Sequence, residues 1–204
     1  MTNMIASADA ATAIDGVSGA LGGPADQLMF GALRSVADAI VVGASTVRAE
    51  QYRVPSNRAL ITVVTGRLDL DLDLPLFADP TYRPLIATVP GAPAEQRERL
   101  ASVADVVDAG TDRVNMTAVM RLLADREATV ALAEGGPRLN GQLVADDLID
   151  EWNLSLAPLL GGGGSARPAI GDQPVHPGGN ALDLARVWTR DDLLFCRWIR
   201  SRRA

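Results

Sequence analysis

The chain has 204 residues, 48% of them hydrophobic, and a formal net charge of −6. That length and composition predict one globular domain over residues 1–204, large enough to bury a sizeable core. The acidic balance argues against nucleic acid or an anionic membrane as the main partner, and with no apolar run of about 18 residues and no leader-like opening the chain reads as cytosolic.

Asn3 to Ser7 is a short apolar strand. A loop rich in Ala, Gly, Ser and Asp follows, from Asp9 to Gly23, and is either a ligand lid or plain connection. Pro24 suits the first position of a helix, with Asp26 in its first turn. Leu28, Met29, Leu33, Val36 and Ala37 then make its apolar stripe. Ala39 to Val42 reads as a buried strand ended by Gly43, and a short helix covers Ser45 to Glu50. Leu60 to Val64 is the next strand and ends at Thr65-Gly66-Arg67. Leu85 to Thr88 is a strand, Pro93 to Leu100 a helix, Asp105 to Val107 a strand and Val114 to Ala124 a helix.

Thr129 to Ala133 is an apolar strand that runs into Glu134-Gly135-Gly136-Pro137, after which Leu139, Leu143 and Val144 recur at helical spacing. In Glu151 to Ala157, Trp152, Leu154 and Leu156 alternate with polar or small residues, as in a strand with one covered face. Leu160 to Gly179 is a long Gly/Pro loop; its Gly161-Gly162-Gly163-Gly164 precedes no clear helix and reads as connection. The lone histidine, His176, lies in that loop and cannot make a metal cluster. Arg186 to Thr189 and Leu193 to Ile199 read as a closing hairpin turned at Asp191-Asp192. The single cysteine, Cys196, sits in the hairpin's apolar run and reads as a buried hydrophobe; it excludes an intramolecular disulfide and a multi-cysteine zinc site. Alternating strands and helices give an α/β fold, mostly parallel, with an antiparallel end.

The turn from Glu134 to Pro137 carries the strongest functional signal. Glycines let a ligand approach the main chain, and a helix start leaves N–H groups free to meet an anion. Glu134 stands at the strand's C-terminal end, where open α/β sheets collect ligands. In a parallel sheet the ends at Gly43 to Thr46, Thr65 to Arg67 and Glu134 to Pro137 share one edge. Two helix N-termini there suit a pyrophosphate, and Arg67 or Arg48 suits an extra phosphate, which favours NADP over NAD. At Gly136 the turn is expected to need both a positive φ and the absence of a Cβ.

The motifs Ser7-Ala8-Asp9, Gly22-Gly23-Pro24-Ala25-Asp26, Val42 to Glu50, Thr65-Gly66, Glu134-Gly135-Gly136-Pro137 with Leu139, and Leu156-Ala157-Pro158 occur in this order along nearly the whole chain. In this the sequence resembles the pyrimidine reductases of riboflavin biosynthesis, whose reductase domain has the dihydrofolate reductase-like fold. The match is best to their actinobacterial branch. The resemblance implies a mostly parallel central sheet with helices on both faces and an antiparallel C-terminal hairpin. It implies NADPH-dependent reduction of a ribosylamino-pyrimidine 5′-phosphate, with hydride transfer to ribose C1. Gly43, Thr46, Glu50, Thr65, Gly66, Gly135, Gly136, Pro137 and Leu139 then line the cofactor. Ser18, Arg34 and Asp9 face the substrate, while Asp26 and Glu134 are the catalytic carboxylates; Asp26 serves in proton delivery or, as in dihydrofolate reductases, holds a ring. Asp9-Ala10 stands where the family reads Asp-Gly. Family members commonly dimerise, and Trp188, Phe195 and Trp198 on the hairpin suit a homodimer interface. Two alternatives keep the fold: reduction of dihydrofolate or another pterin, and NADP binding without catalysis.

Overall fold

The computed structural model describes residues 1–164, 166–171 and 179–201; His176 lies outside them. In chain order the elements are β1 (Thr2–Ser7), α1 (Pro24–Ser35), β2 (Ala39–Gly43), α2 (Ala44–Ala49), β3 (Leu60–Val64) and β4 (Leu85–Thr88). They continue with α3 (Ala94–Ala101), β5 (Asp105–Asp108), α4 (Met116–Ala124), β6 (Ala131–Ala133), α5 (Pro137–Ala145), β7 (Glu151–Ala157), β8 (Leu182–Arg190) and β9 (Leu193–Arg200). The chain packs as two compact units, Met1–Leu33 with Ala133–Ala204, and Arg34–Leu132. Among the described residues no helix is long and apolar enough to cross a membrane.

The second unit is a parallel sheet in the order β5-β4-β3-β2. Ile40, Val41, Val42, Ile61, Val63 and Ile86 are fully buried, as continuous apolar runs covered on both faces should be. Helix α4 starts at Met116 rather than Val114, because the Asn115 side chain accepts a hydrogen bond from the Ala118 amide at 2.9 Å and caps the helix. The run Thr129 to Ala133 forms a shorter strand than its composition suggests. The Asp38 carboxylate accepts from the Thr129 amide, the Thr129 hydroxyl and the Val130 amide at 2.7–2.9 Å, and so holds both residues ahead of β6. These bonds favour the charged form and lower the pKa of Asp38.

The first unit is ordered β1-β7-β9-β8, with Ala133, the last residue of β6, in parallel register with Thr2 of β1, β1 and β7 parallel and the last hairpin antiparallel. Its turn falls at Asp191 and Asp192 as expected, both at positive φ (52° and 60°). Leu21, Ala25, Ala157, Leu193 and Phe195 form the core here, with Ile5, Ile14, Met29 and Trp188 packed on it.

Three expectations about burial are corrected. On α1, Ala25 and Met29 face the core, four residues apart, whereas Leu28 and Val36 are 58% and 60% exposed. On β7 it is Asn153, Ser155 and Ala157 that are buried, while Trp152, Leu154 and Leu156 are only half-buried. Small side chains let the core elements come close to that strand. On the hairpin, Phe195 is buried and Trp188 stacks on it with ring centroids 5.7 Å apart; the exposed apolar residues are Leu182, Leu184, Val187 and Ile199.

Tyr82 ties the start of β3 to the loop ahead of β4. Its buried hydroxyl donates to the Ala59 carbonyl at 2.7 Å and accepts from the Ile61 amide at 2.6 Å. Tyr82→Phe leaves both backbone groups buried and unpaired, and denaturant titration is expected to show a loss of about 1–3 kcal/mol.

Candidate functional site

In the second unit, strands β2 and β3 end side by side, with Gly43 in register with Val64. Thr46 and Glu50 lie on α2 and at its end, where the Glu50 amide donates to the Thr46 carbonyl at 2.9 Å. The Thr65 hydroxyl accepts from the Arg67 and Leu68 amides at 3.2 and 3.0 Å, which shapes the turn after β3. A Cβ on Gly66 would meet nothing within 4 Å, so this strand end opens onto free space. Of the two candidate phosphate arginines, Arg48 is committed: it donates to the Asp69 carbonyl at 2.6 Å and pairs with its carboxylate at 3.3 Å. Arg67 is exposed on the same turn as Gly66.

Arg34 does not join this edge. Its carbonyl accepts from Asn57, which also bonds Ala37 just ahead of β2, and its guanidinium lies 5.3 Å from the centroid of the Tyr52 ring. Arg34 therefore sits where β2 and β3 begin. A cleft of about 480 Å³ lies at this same opposite edge, and its Asp38 and Arg58 are already bound to Thr129 and Asp79.

In the first unit, β6 ends level with the start of β1: Ala133 is in register with Thr2. β1 continues to Ser7, so the Glu134 turn lies well below the strand end. Glu134 is 7% exposed and Leu139 5% exposed. Leu139 is thus a core residue of α5, and only its backbone can line a ligand. The turn differs from expectation in one respect: φ is +86° at Gly135 and −73° at Gly136. Gly135 is the residue that needs to be glycine for its backbone, and a Cβ there would also lie 2.9 Å from the Met4 sulfur. Gly136 precedes Pro137 at the helix start. Asn140, fully buried, donates to the Pro168 carbonyl at 2.9 Å, and the Ile170 amide donates to the Pro137 carbonyl at 3.0 Å. The segment 166–171 is thereby strapped to α5.

Asp26 is half-buried in the first turn of α1 and accepts a hydrogen bond from Ser155 of β7. Burial raises its pKa and the Ser155 hydroxyl pulls the other way. Ser18 lies just beyond a tight Asp15-Gly16 turn, and its carbonyl accepts from Leu21. Sequence reasoning missed Ser155, although period-two alternation places it with Asn153 and Ala157 on one face; nothing local marked Asn140.

Asp9 is exposed but turned onto the glycine loop. Its carboxylate accepts from the Ser7 hydroxyl and from the Gly161 and Gly162 amides, the latter at 2.9 and 2.8 Å, and these bonds hold its pKa at about 2. So the four-glycine stretch is latched to the end of β1 rather than a free connection. Gly161 has to be bare, because its Cβ would lie 2.5 Å from that of Ala11. Ala10, where the family pattern has glycine, takes a φ of +69°. Ala10→Gly should relieve a left-handed alanine and raise stability by up to about 1 kcal/mol, read from denaturant midpoints.

The RibD C-terminal domain family matches residues 1–194. A reductase of Methanothermobacter thermautotrophicus, named for 2,5-diamino-6-ribosylamino-4(3H)-pyrimidinone 5′-phosphate, is 30% identical over 166 residues, 77% of each chain. A pyrimidine reductase-like protein of Corynebacterium diphtheriae superposes with a TM-score of 0.86 at 26% identity, over 99% of this chain and 91% of that one. A Thermotoga maritima deaminase and 5-amino-6-(5-phosphoribosylamino)uracil reductase shares the fold, with a TM-score of 0.74 at 15% identity over 98% of this chain and 56% of that one. With strand ends, glycine turn and family pattern in agreement over nearly its whole length, the chain belongs to the RibD C-terminal domain family, the pyrimidine reductases of riboflavin biosynthesis.

Proposed function

We propose that the protein is an NADPH-dependent reductase of a ribosylamino-pyrimidine 5′-phosphate. The observation that carries this reading is the recessed Glu134-Gly135-Gly136-Pro137 turn at the start of α5. Its backbone suits a nicotinamide dinucleotide: the turn bears no side chain beyond Cα at two successive positions, and amides of the first helical turn are available for the pyrophosphate. Gly43, Thr46, Glu50, Thr65, Gly66 and the backbone of Pro137 and Leu139 complete the cofactor set on this reading. Arg67, exposed beside Gly66, is the guanidinium for a 2′-phosphate. When bound, the nicotinamide supplies the hydride that reduces ribose C1. The protein's part is placement: Glu134 and Asp26 are the carboxylates at the substrate, with Ser18 beside them, and Asp9 holds the glycine loop in place.

Gly136 tests the cofactor site, because its φ of −73° is one that any residue adopts. Gly136→Val is expected to keep the wild-type melting temperature and to lose NADPH affinity by about 10- to 100-fold, the equivalent of one or two hydrogen bonds to a charged group. Arg67→Ala should narrow the preference for NADPH over NADH in fluorescence titrations. A folded Gly136→Val protein with wild-type NADPH affinity would overturn the assignment. The same preparation, assayed for NADPH oxidation, should turn over the ribosylamino-pyrimidine. Turnover of dihydrofolate instead would move the substrate to the pterins, and tight NADPH binding with no turnover would make the protein a binder only.

We also propose a homodimer formed through β8. It is an edge strand of nine residues, with Leu182, Leu184 and Val187 between 38% and 58% exposed. Asp183, Arg186 and Arg190 on the strand give an antiparallel second copy opposite charges to meet. Light scattering at micromolar concentration should give twice the chain mass, and Leu184→Asp should give a monomer.

A further inference from the structure

Helix α5 carries two residues that a helix alone would not favour. Gly141 sits in its interior, where glycine is less stable than alanine. Asn140 is fully buried and its Oδ1 has no hydrogen-bond partner, a loss that a leucine would avoid. Segment 166–171, which lies against this part of the helix, accounts for both. A Cβ on Gly141 would stand 1.9 Å from the Ile170 carbonyl oxygen and 3.1 Å from the Gly171 amide nitrogen, and both are backbone atoms. The Asn140 Nδ2 donates to the Pro168 carbonyl at 2.9 Å. The bare Gly141 lets the segment in, and the Asn140 amide holds it there.

The same segment reaches the turn that opens the helix. The Ile170 amide donates to the Pro137 carbonyl at 3.0 Å, at the first helical position. The Asn140 Nδ2 lies 3.7 Å from the place a Cβ on Gly135 would take, so one side-chain amide borders both the segment and the glycine turn. Gly135 and Gly136 have no side chains to brace that turn, so its course is set by what packs against it. The Thr12 hydroxyl, donating to the Ala166 carbonyl at 2.8 Å, anchors the segment's other end. We propose that Asn140 and Gly141 are positioning residues for the cofactor: by seating segment 166–171 against Pro137, they set the first-turn amides of α5 in place for the NADPH pyrophosphate. The inference rests on the reductase reading above and adds to it two residues that act through the backbone of the turn.

Asn140→Leu keeps the side chain's shape and removes the donor together with the unpaired oxygen. Gly141→Ala leaves Asn140 in place, gains helix propensity and pushes the segment away at Ile170. Both variants and their double variant are compared with wild type by melting temperature, by NADPH fluorescence titration without substrate, and by steady-state kinetics. Each single variant should raise the Kd for NADPH by about 10-fold, the scale of loss when anchoring groups are displaced rather than removed. The KM for NADPH should rise in step, with kcat at saturating NADPH unchanged. Both substitutions release the same segment, so the double variant should bind no more weakly than the weaker single variant. A wild-type Kd in either folded variant, or losses that multiply in the double variant, overturns the inference and leaves the reductase reading standing. Failure of both single variants to fold also overturns it, because the segment then serves the fold and not the site. A wild-type protein that binds no NADPH overturns the reductase reading, and this inference with it.

Discussion

The short strand β6 is the constraint on which the first unit's site depends. Asp38 fixes where it begins, by taking the amides of Thr129 and Val130. The glycine pair fixes where it ends, because Gly135 at φ +86° turns the chain directly into α5. Three residues of strand are left. β1 meanwhile runs five residues past the point where Ala133 pairs with it, roughly 16 Å at the rise of a parallel strand. Glu134 and the start of α5 are therefore sunk beneath the end of β1. Glu134, 7% exposed, is shielded from water there, which strengthens whatever charge interactions it makes.

The material around that recess is held by polar contacts rather than by bulk. The Asp9 carboxylate latches Gly161 and Gly162, Asn140 holds the carbonyl of Pro168, and the Thr12 hydroxyl donates to the Ala166 carbonyl at 2.8 Å. In each case a side chain binds the backbone of a loop that has little apolar surface of its own. Glycine is used where elements touch: a Cβ on Gly141 would lie 1.9 Å from the Ile170 carbonyl oxygen. Loops of this kind keep a fixed path without filling the space a ligand needs.

β7 shows the same economy in the core. Its small face, Asn153, Ser155 and Ala157, is buried, and its large face is not. The exchange gives α1 close access to the strand, and it is this proximity that lets the Ser155 hydroxyl reach Asp26. A leucine at 155 would satisfy the hydrophobic pattern and remove the contact.

Much of this was legible from the residues alone. Apolar runs located the strands, β8 only over Arg186 to Thr189 of its nine residues, Pro24 and Pro137 stand at helix starts, and Asp191-Asp192 marked the hairpin turn, because backbone preference and hydrophobic periodicity act over a few neighbouring residues. The Glu134-Gly135-Gly136-Pro137 turn was visible for the same reason. Only the tertiary structure decided which side of a pattern faced inward. It put Ser155 inside β7 and Leu28 outside α1, carried Arg34 to the edge where the strands begin, moved the positive φ from Gly136 to Gly135, and turned Asp9 onto the glycine loop. Each of these depends on what a residue distant in sequence places opposite it, and the local sequence holds no record of that partner.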